Sequence, residues 1–493
     1  MRKLLKSKFF RVVCCVAFVG AALAGYDNVS TASLQAQGKA TEQKSILVDH
    51  GDMDDKVLYL SDIPYLSAKI GWGTIGLDKT SSNGALSIKL NGSTTTIKKG
   101  IWAHATSTVD YDISEYKEYD YFTTYYGLNT TAGGNGNGAK FYIYTSADGK
   151  TWNLKTSENP TALKGNNNAV KVTIDIRDAN FIRLYANDNG SNASDHAVWA
   201  DAKLIKEGYN ENVTRTVAEL DAEIKSKYTG GPVQDDIKLT LLQRDLINRV
   251  GQYNLRTFLD ANEKNKETLE WFLNDEEALR LWTVGGRPLG SYMRALEVLS
   301  TVYQAHKADL TDETAALGGT AGIKCKDVYL KMMLSLSLSH SSGIGLWIGG
   351  NQYSNALKRY EIYKSMYQNN LLENRAIFEQ LTVEEMRWLM HVNIDDEEIL
   401  WLNDYSKKWS SANDRFNPYK YMKYTFGYSY YRPQYYSQAN YAKWDAKYNL
   451  SKYGVPYQSG KPKLWIVFEE GAVCGGLSKT AANLWGVWGW PTS

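Results

Sequence analysis

Two sets of side chains in this 493-residue chain are of types that could do chemistry together. The first lies in the N-terminal half: Trp72, Trp102 and Trp199, with His104, His196, Asp195 and Asn189. A sugar site needs an aromatic surface against the apolar face of the ring and fixed polar groups for its hydroxyls. The indoles can supply the surface, and the imidazoles, carboxylate and amide the polar edge. The competing assignment is sandwich core and loop anchoring. Trp199 and Asp201, at a strand entrance, fit that assignment as well as they fit a site, because buried Trp anchors many sandwiches. The second set centres on Cys474, in the run Phe468-Glu469-Glu470-Gly471-Ala472-Val473-Cys474-Gly475-Gly476. A thiol at a helix start meets the positive end of the macrodipole, which favours the nucleophilic thiolate.

The elements that must position these residues change character near residue 210. From about Val57 to Ile205 the chain is rich in Gly, Asn and Thr, with short alternating runs. Val170, Val172, Ile174 and Ile176 alternate with polar residues, the period of a half-buried strand. Phe141 to Tyr144, a Ser-Ala-Asp-Gly turn and Lys150-Thr151-Trp152 read as strand, turn and strand. Many short strands at this spacing predict an antiparallel sandwich. After Tyr209 the spacing turns helical: Val213, Val217, Leu220 and Ile224 share one face, and Leu241, Leu246, Ile247 and Val250 do the same. Val328 to Leu338 is apolar enough to be buried, although its Ser335-Leu336-Ser337-Leu338-Ser339 portion also fits a strand. Asp395-Asp396-Glu397-Glu398 is expected to be a solvated helix start. Tyr residues crowd Phe416 to Tyr457, and Leu464-Trp465-Ile466-Val467-Phe468 has the pattern of a buried strand.

Composition narrows the partners. Fifty-six Lys and Arg against 54 Asp and Glu leave a net charge of +2, too little basic excess for a phosphate backbone, so nucleic acid is not expected. Arg2, Lys3, Lys6, Lys8 and Arg11 precede the apolar run Val12 to Ala24, followed by small-residue cleavage options up to Ala36. Residues 1–36 thus read as a signal peptide and its cleavage region, and no membrane span is expected. Cys14 and Cys15 fall in that stretch, leaving Cys325 and Cys474, which cannot build a disulfide framework.

Four blocks occur in order: Tyr59-Leu60-Ser61-Asp62, Gly71-Trp72-Gly73, Lys99-Gly100-Ile101-Trp102-Ala103-His104-Ala105 and Asp195-His196-Ala197-Val198-Trp199-Ala200-Asp201-Ala202. Together they resemble the NPCBM module, carbohydrate-binding module family 51, over about residues 55–207. The resemblance implies a galactose-binding-like jelly-roll β-sandwich on a secreted bacterial protein, with galactose-containing host glycans as partners. Sandwiches of this kind often hold a structural calcium, for which Asp62 and Asp201 are the oxygen-bearing candidates; no other cofactor is expected.

The Cys474 block is similar to the nucleophile helix of the transglutaminase-like cysteine hydrolase superfamily, which orders Cys, then His, then Asp. Only 19 residues follow Cys474, and none is His or Asp. All six histidines precede it, and His340 and His391 are the two in reach. The expected organisation is therefore a sandwich at 55–207, a mainly α-helical region at 213–415, and a partial α+β transglutaminase-like segment at 416–493. The expected function is a secreted or cell-surface carbohydrate-binding protein. The alternative is a glycan-targeted cysteine hydrolase or peptidase, inactive in this form for want of its partners.

Overall fold

The computed structural model describes residues 56–209, 212–342, 354–407, 420, 422, 424, 438–454, 464, 467–468 and 471–491. The expected signal peptide and most of the Tyr-rich stretch lie outside the described residues. Among the described helices, none is long and apolar enough to cross a membrane.

The N-terminal half is an antiparallel sandwich. One sheet runs in the order 170–175, 121–128, 196–205, 100–104 and 76–77, with Val57–Tyr59 also paired to the C-terminal end of strand His196–Ile205. The second sheet runs 153–154, 140–146, 181–187, 107–112 and 67–69. Alternation along each strand sends Ile101, Ala103, Val109, Phe122, Phe141, Ile143, Leu184 and Trp199 into the space between the sheets. A separate hairpin, Leu86–Leu90 with Ser93–Ile97, turns at Asn91-Gly92, where both residues have positive φ (49° and 79°). That backbone matches strand twist and is one that Asn and Gly adopt readily.

After the sandwich the described elements are helical, and isolated bridges are the only extended pairings there. Helix Val217–Lys227 opens on a capping box between Thr216 and Glu219. The Ser-Leu alternation at 335–339 belongs to helix Cys325–Ser339, not to a strand. Its hydroxyls turn back on their own helix: Ser335 Oγ donates to the Met332 carbonyl at 2.9 Å and Ser337 Oγ to that of Leu334 at 2.8 Å. Polar residues satisfied in this way let the stretch Met332 to Ser339 be buried on every side.

The acidic run at 395–398 corrects its expectation. A helix does start there, Asp396–Lys407, but Asp396 and Glu398 are buried. Asp396 Oδ1 accepts from Arg359 Nε at 2.6 Å, while the guanidinium also donates to the carbonyls of Met390, Val392 and Ile394. Glu398 Oε1 accepts from the Leu464 amide at 2.7 Å, and burial, with Glu397 nearby, pushes its carboxyl up to about 8. The folded chain therefore keeps a proton that the unfolded chain releases near pH 4.5, so this group's contribution to stability falls as pH rises from 4.5 to 8. The slope is at most about 1.4 kcal/mol per pH unit. Glu398→Gln imitates the neutral acid. Thermal unfolding should show the variant matching wild type near pH 5 and exceeding it at pH 8.5; equal curves at both pH values would remove the assignment.

The expected strand at 464–468 is also corrected. Leu464 is in a turn and Val467-Phe468 in a helical turn, with Leu464 and Val467 buried in the helical core. That core includes the last helix, Cys474–Trp488, whose Trp488 Nε1 donates to Ser406 Oγ at 2.7 Å. Sandwich and helices meet at Tyr253, which packs on the outer face of the first sheet against the cluster of Leu86, Ile88, Ile97, Trp102, Val198 and Ala200.

Candidate carbohydrate-binding site

The site is built on two neighbouring antiparallel strands, Gly100–His104 and His196–Ile205, in which His104 faces His196 and Trp102 faces Val198. Residues of like parity share a face, so Trp102, His104 and His196 stand together on the outer side of the sheet. Their rings form one cluster: His104 stands edge-on to His196 at 5.1 Å and to Trp102 at 6.1 Å, and Trp102 is tilted against His196 at 5.8 Å between centroids. Trp72 joins from the loop before Gly76, 5.8 Å from His104. Its side chain is 61% exposed, unlike the three rings behind it.

Gly71 explains how Trp72 arrives. The Gly71 amide donates to the His104 carbonyl at 3.0 Å, and a Cβ at Gly71 would stand 2.3 Å from the Ala105 oxygen. Only glycine lets the loop lie this close to the strand end. The flanking glycines of the Gly-Trp-Gly block are the sequence signal for this close approach.

The two imidazoles are polarised differently. His104 Nδ1 lies 2.8 Å from the Ala105 carbonyl, which can only accept, so Nδ1 carries the hydrogen and Nε2 of the neutral ring is an acceptor. Burial, reinforced by His104, lowers the pKa of His196, so this ring is neutral at physiological pH. An exposed indole beside two imidazoles offers a stacking face and a polar edge within one ring-to-ring distance.

The remaining expected site residues do other work. Trp199 points to the opposite side, fully buried against Phe141 and Tyr126 at 5.3 and 6.0 Å, and belongs to the sandwich core. Asn189 is a clasp between loops: its carbonyl accepts from Asn137 Nδ2 at 2.6 Å and its Nδ2 donates to the Asn137 carbonyl at 3.3 Å. Asp195 is fully buried beside this clasp, its backbone carbonyl accepting from the Ala105 amide at 3.0 Å. Neither of its carboxylate oxygens has a hydrogen-bond partner, and burial, with Asp188, pushes the group up to about 6.

Comparison with known proteins agrees with this arrangement of blocks. The family model described as NPCBM/NEW2 domain matches residues 56–205. This part of the chain is an NPCBM carbohydrate-binding module. Similar solved structures include the CBM51 of Clostridium perfringens GH95 in complex with methyl-galactose, 29% identical, covering 30% of this chain and 99% of that one, with a TM-score of 0.28. The CBM51-2, in complex with GlcNAc, and INT domains of C. perfringens ZmpB are 23% identical, covering 45% of each chain, with a TM-score of 0.27. The tandem CBM51 modules of Sp3GH98 from Streptococcus pneumoniae are 23% identical, covering 37% of this chain and 52% of that one, with a TM-score of 0.28. No curated protein matches the chain.

Within the NPCBM module the two carboxylates expected to ligate calcium do not fit that role. Asp62 is held by Lys99 Nζ at 2.5 Å, and Asp201 by Lys203 Nζ at 2.7 Å with both partners buried. An ammonium group already stands where each carboxylate would meet a cation. Among the described residues no group of three or more His, Cys, Asp and Glu side chains could hold a metal ion.

Outside the module, Cys474 does begin a helix, and its thiol is exposed and free. Its expected bases are elsewhere. His340 is buried, with Nε2 2.8 Å from Ser354 Oγ and Nδ1 3.2 Å from Ser339 Oγ; burial, then Arg359 and His391, hold its pKa well below the usual range. His391 packs edge-on to Trp388 at 6.0 Å. Among the described residues neither histidine meets the thiol, and no comparison extends a transglutaminase-like likeness to this helix. Iodoacetamide on the native chain is expected to modify Cys474 and spare the buried Cys325, with no peptidase or transamidase turnover. Turnover that vanishes in Cys474→Ala would overturn that expectation.

Proposed function

We propose that this chain is an exported glycan-binding protein whose NPCBM module holds a galactose-type terminal sugar on Trp72, with His104 and His196 taking its hydroxyls. The observation that carries the reading is the exposed Trp72 ring standing 5.8 Å from a His104 whose Nδ1 is already engaged. Galactose presents an apolar patch of ring carbons beside its axial hydroxyl, so one indole and one neighbouring polar group can address both. The galactose preference comes from the family resemblance of the four sequence blocks. Export rests on the charged start and apolar run of residues 1–36, and places the protein on the cell surface or outside it. Single sites of this size bind weakly, so display of many copies against a dense glycan surface supplies avidity.

A glycan panel with the full chain tests the sugar assignment: galactosyl and N-acetylhexosaminyl glycans should bind, and binding to none of them would end the reading. Because burial and the neighbouring His104 lower the pKa of His196, this ring should stay neutral at physiological pH and its part in binding should be lost only in acid. N-terminal sequencing of the mature protein tests export.

A further inference from the structure

A second concavity lies where the sandwich meets the helices. Strand His196–Ile205 bulges between Ala200 and Lys203, and helix Gln252–Asp260 stands opposite. Between them is a cavity of about 350 Å³. Tyr59, Lys98 and Lys171 line it from the module, and Tyr253 and Arg256 from the helix.

Arg256 is the residue that calls for an explanation. It is only 9% exposed, and its Nη1 and Nη2 are buried with no hydrogen-bond partner. Its Nε is ion-paired with Asp260 Oδ2, which also lines the cavity, at 3.6 Å, too long for a hydrogen bond, and the guanidinium lies 5.7 Å from the Tyr209 ring centroid. A guanidinium withdrawn from water with both terminal nitrogens unmatched is costly, and its planar fork is shaped for two parallel bonds to an oxyanion. Asp201 of the module, which also lines the cavity, is held by Lys203 at 2.7 Å. Lys98 and Lys171 are exposed, and both add positive charge to the same cavity. The volume is that of a small ring-bearing ligand rather than a bare ion, and the module that forms one wall is a carbohydrate-binding one.

We propose that this cavity is a second ligand site, for a sugar carrying a carboxylate or sulfate, with Arg256 clamping the oxyanion. The site uses none of the residues of the Trp72 site and does not depend on the galactose reading.

The test uses the full chain carrying Trp72→Ala, which silences the first site, titrated calorimetrically with glucuronate, galactose 6-sulfate, galactose and sodium sulfate. Glucuronate or galactose 6-sulfate should bind, more weakly at high salt, and galactose should not. Arg256→Gln should lose on the order of tenfold or more in affinity. Lys98→Glu, at an exposed position, should weaken binding several-fold and keeps the test decisive if Arg256→Gln does not fold. The proposal is overturned if neither anionic sugar binds, if sodium sulfate alone binds, if galactose binds equally, or if the folded variants keep full affinity.

Discussion

Trp72→Ala is expected to abolish measurable galactosyl-glycan binding while leaving the melting temperature of the chain where it was. The ring is 61% exposed and outside the sandwich core, so its loss opens no cavity. What disappears is the flat apolar face. An aromatic anchor of this kind contributes about 2 kcal/mol or more, roughly thirtyfold in affinity, which takes a weak single site below detection. His104→Ala should also lose binding but should cost stability as well, because the ring is buried and bonded to the Ala105 carbonyl. The two variants together separate a contact residue from one that both contacts and supports. Wild-type affinity in Trp72→Ala, measured on an array and by titration, would remove the Trp72 site from consideration.

Gly486→Ala is expected to destabilise the helical half. A Cβ there would stand 2.1 Å from Val392 Cγ1. Val392 is buried and its backbone is held, because its carbonyl accepts from the buried Arg359 at 2.7 Å. On the same turn, the Gly486 carbonyl accepts from the Tyr363 hydroxyl at 3.3 Å, which resists sliding of the last helix. Overpacking of this sort costs about 1–3 kcal/mol. Chemical denaturation of the variant should show that loss, and Val392→Ala in the same chain should recover part of it, since the two positions share one space. No loss in Gly486→Ala would mean that the C-terminal helix is not docked as described.

Much of this was legible in the residues. The period-two runs gave the sandwich, and the helical spacing after Tyr209 gave the helices, because both patterns report which side of an element faces a core. Trp72, Trp102, His104 and His196 do converge. Parity would have refined the rest: His196 and Trp199 are three apart on one strand, so they face opposite ways and cannot share a site. Other features depend on partners distant in the chain. The acidic run at 395–398 looked solvated because the buried Arg359 that pairs with Asp396 is 37 positions away. Asp62 has the oxygens of a cation ligand, but Lys99, 37 positions on, stands against it. For Asp201 the partner is close in sequence: Lys203, two residues on, reaches it across the bulge between Ala200 and Lys203. The apolar run at 464–468 suits a buried strand and a buried helical segment equally, and Leu464 and Val467 are buried in the helical core without pairing to a strand.

The pairing of strand His196–Ile205 has a mechanical consequence. One end of the strand carries His196 of the sugar site, and the other leads through Ile205 toward the helices. A glycan pulled by flow would tug at the first end while the body of the protein holds the second, so tension would run along the strand. Strand 121–128 on one side, and strands 100–104 and 57–59 on the other, hydrogen-bond to it along its length. Under that load these bonds are sheared together rather than peeled one at a time, so the tether should yield at the sugar before it yields in the sheet.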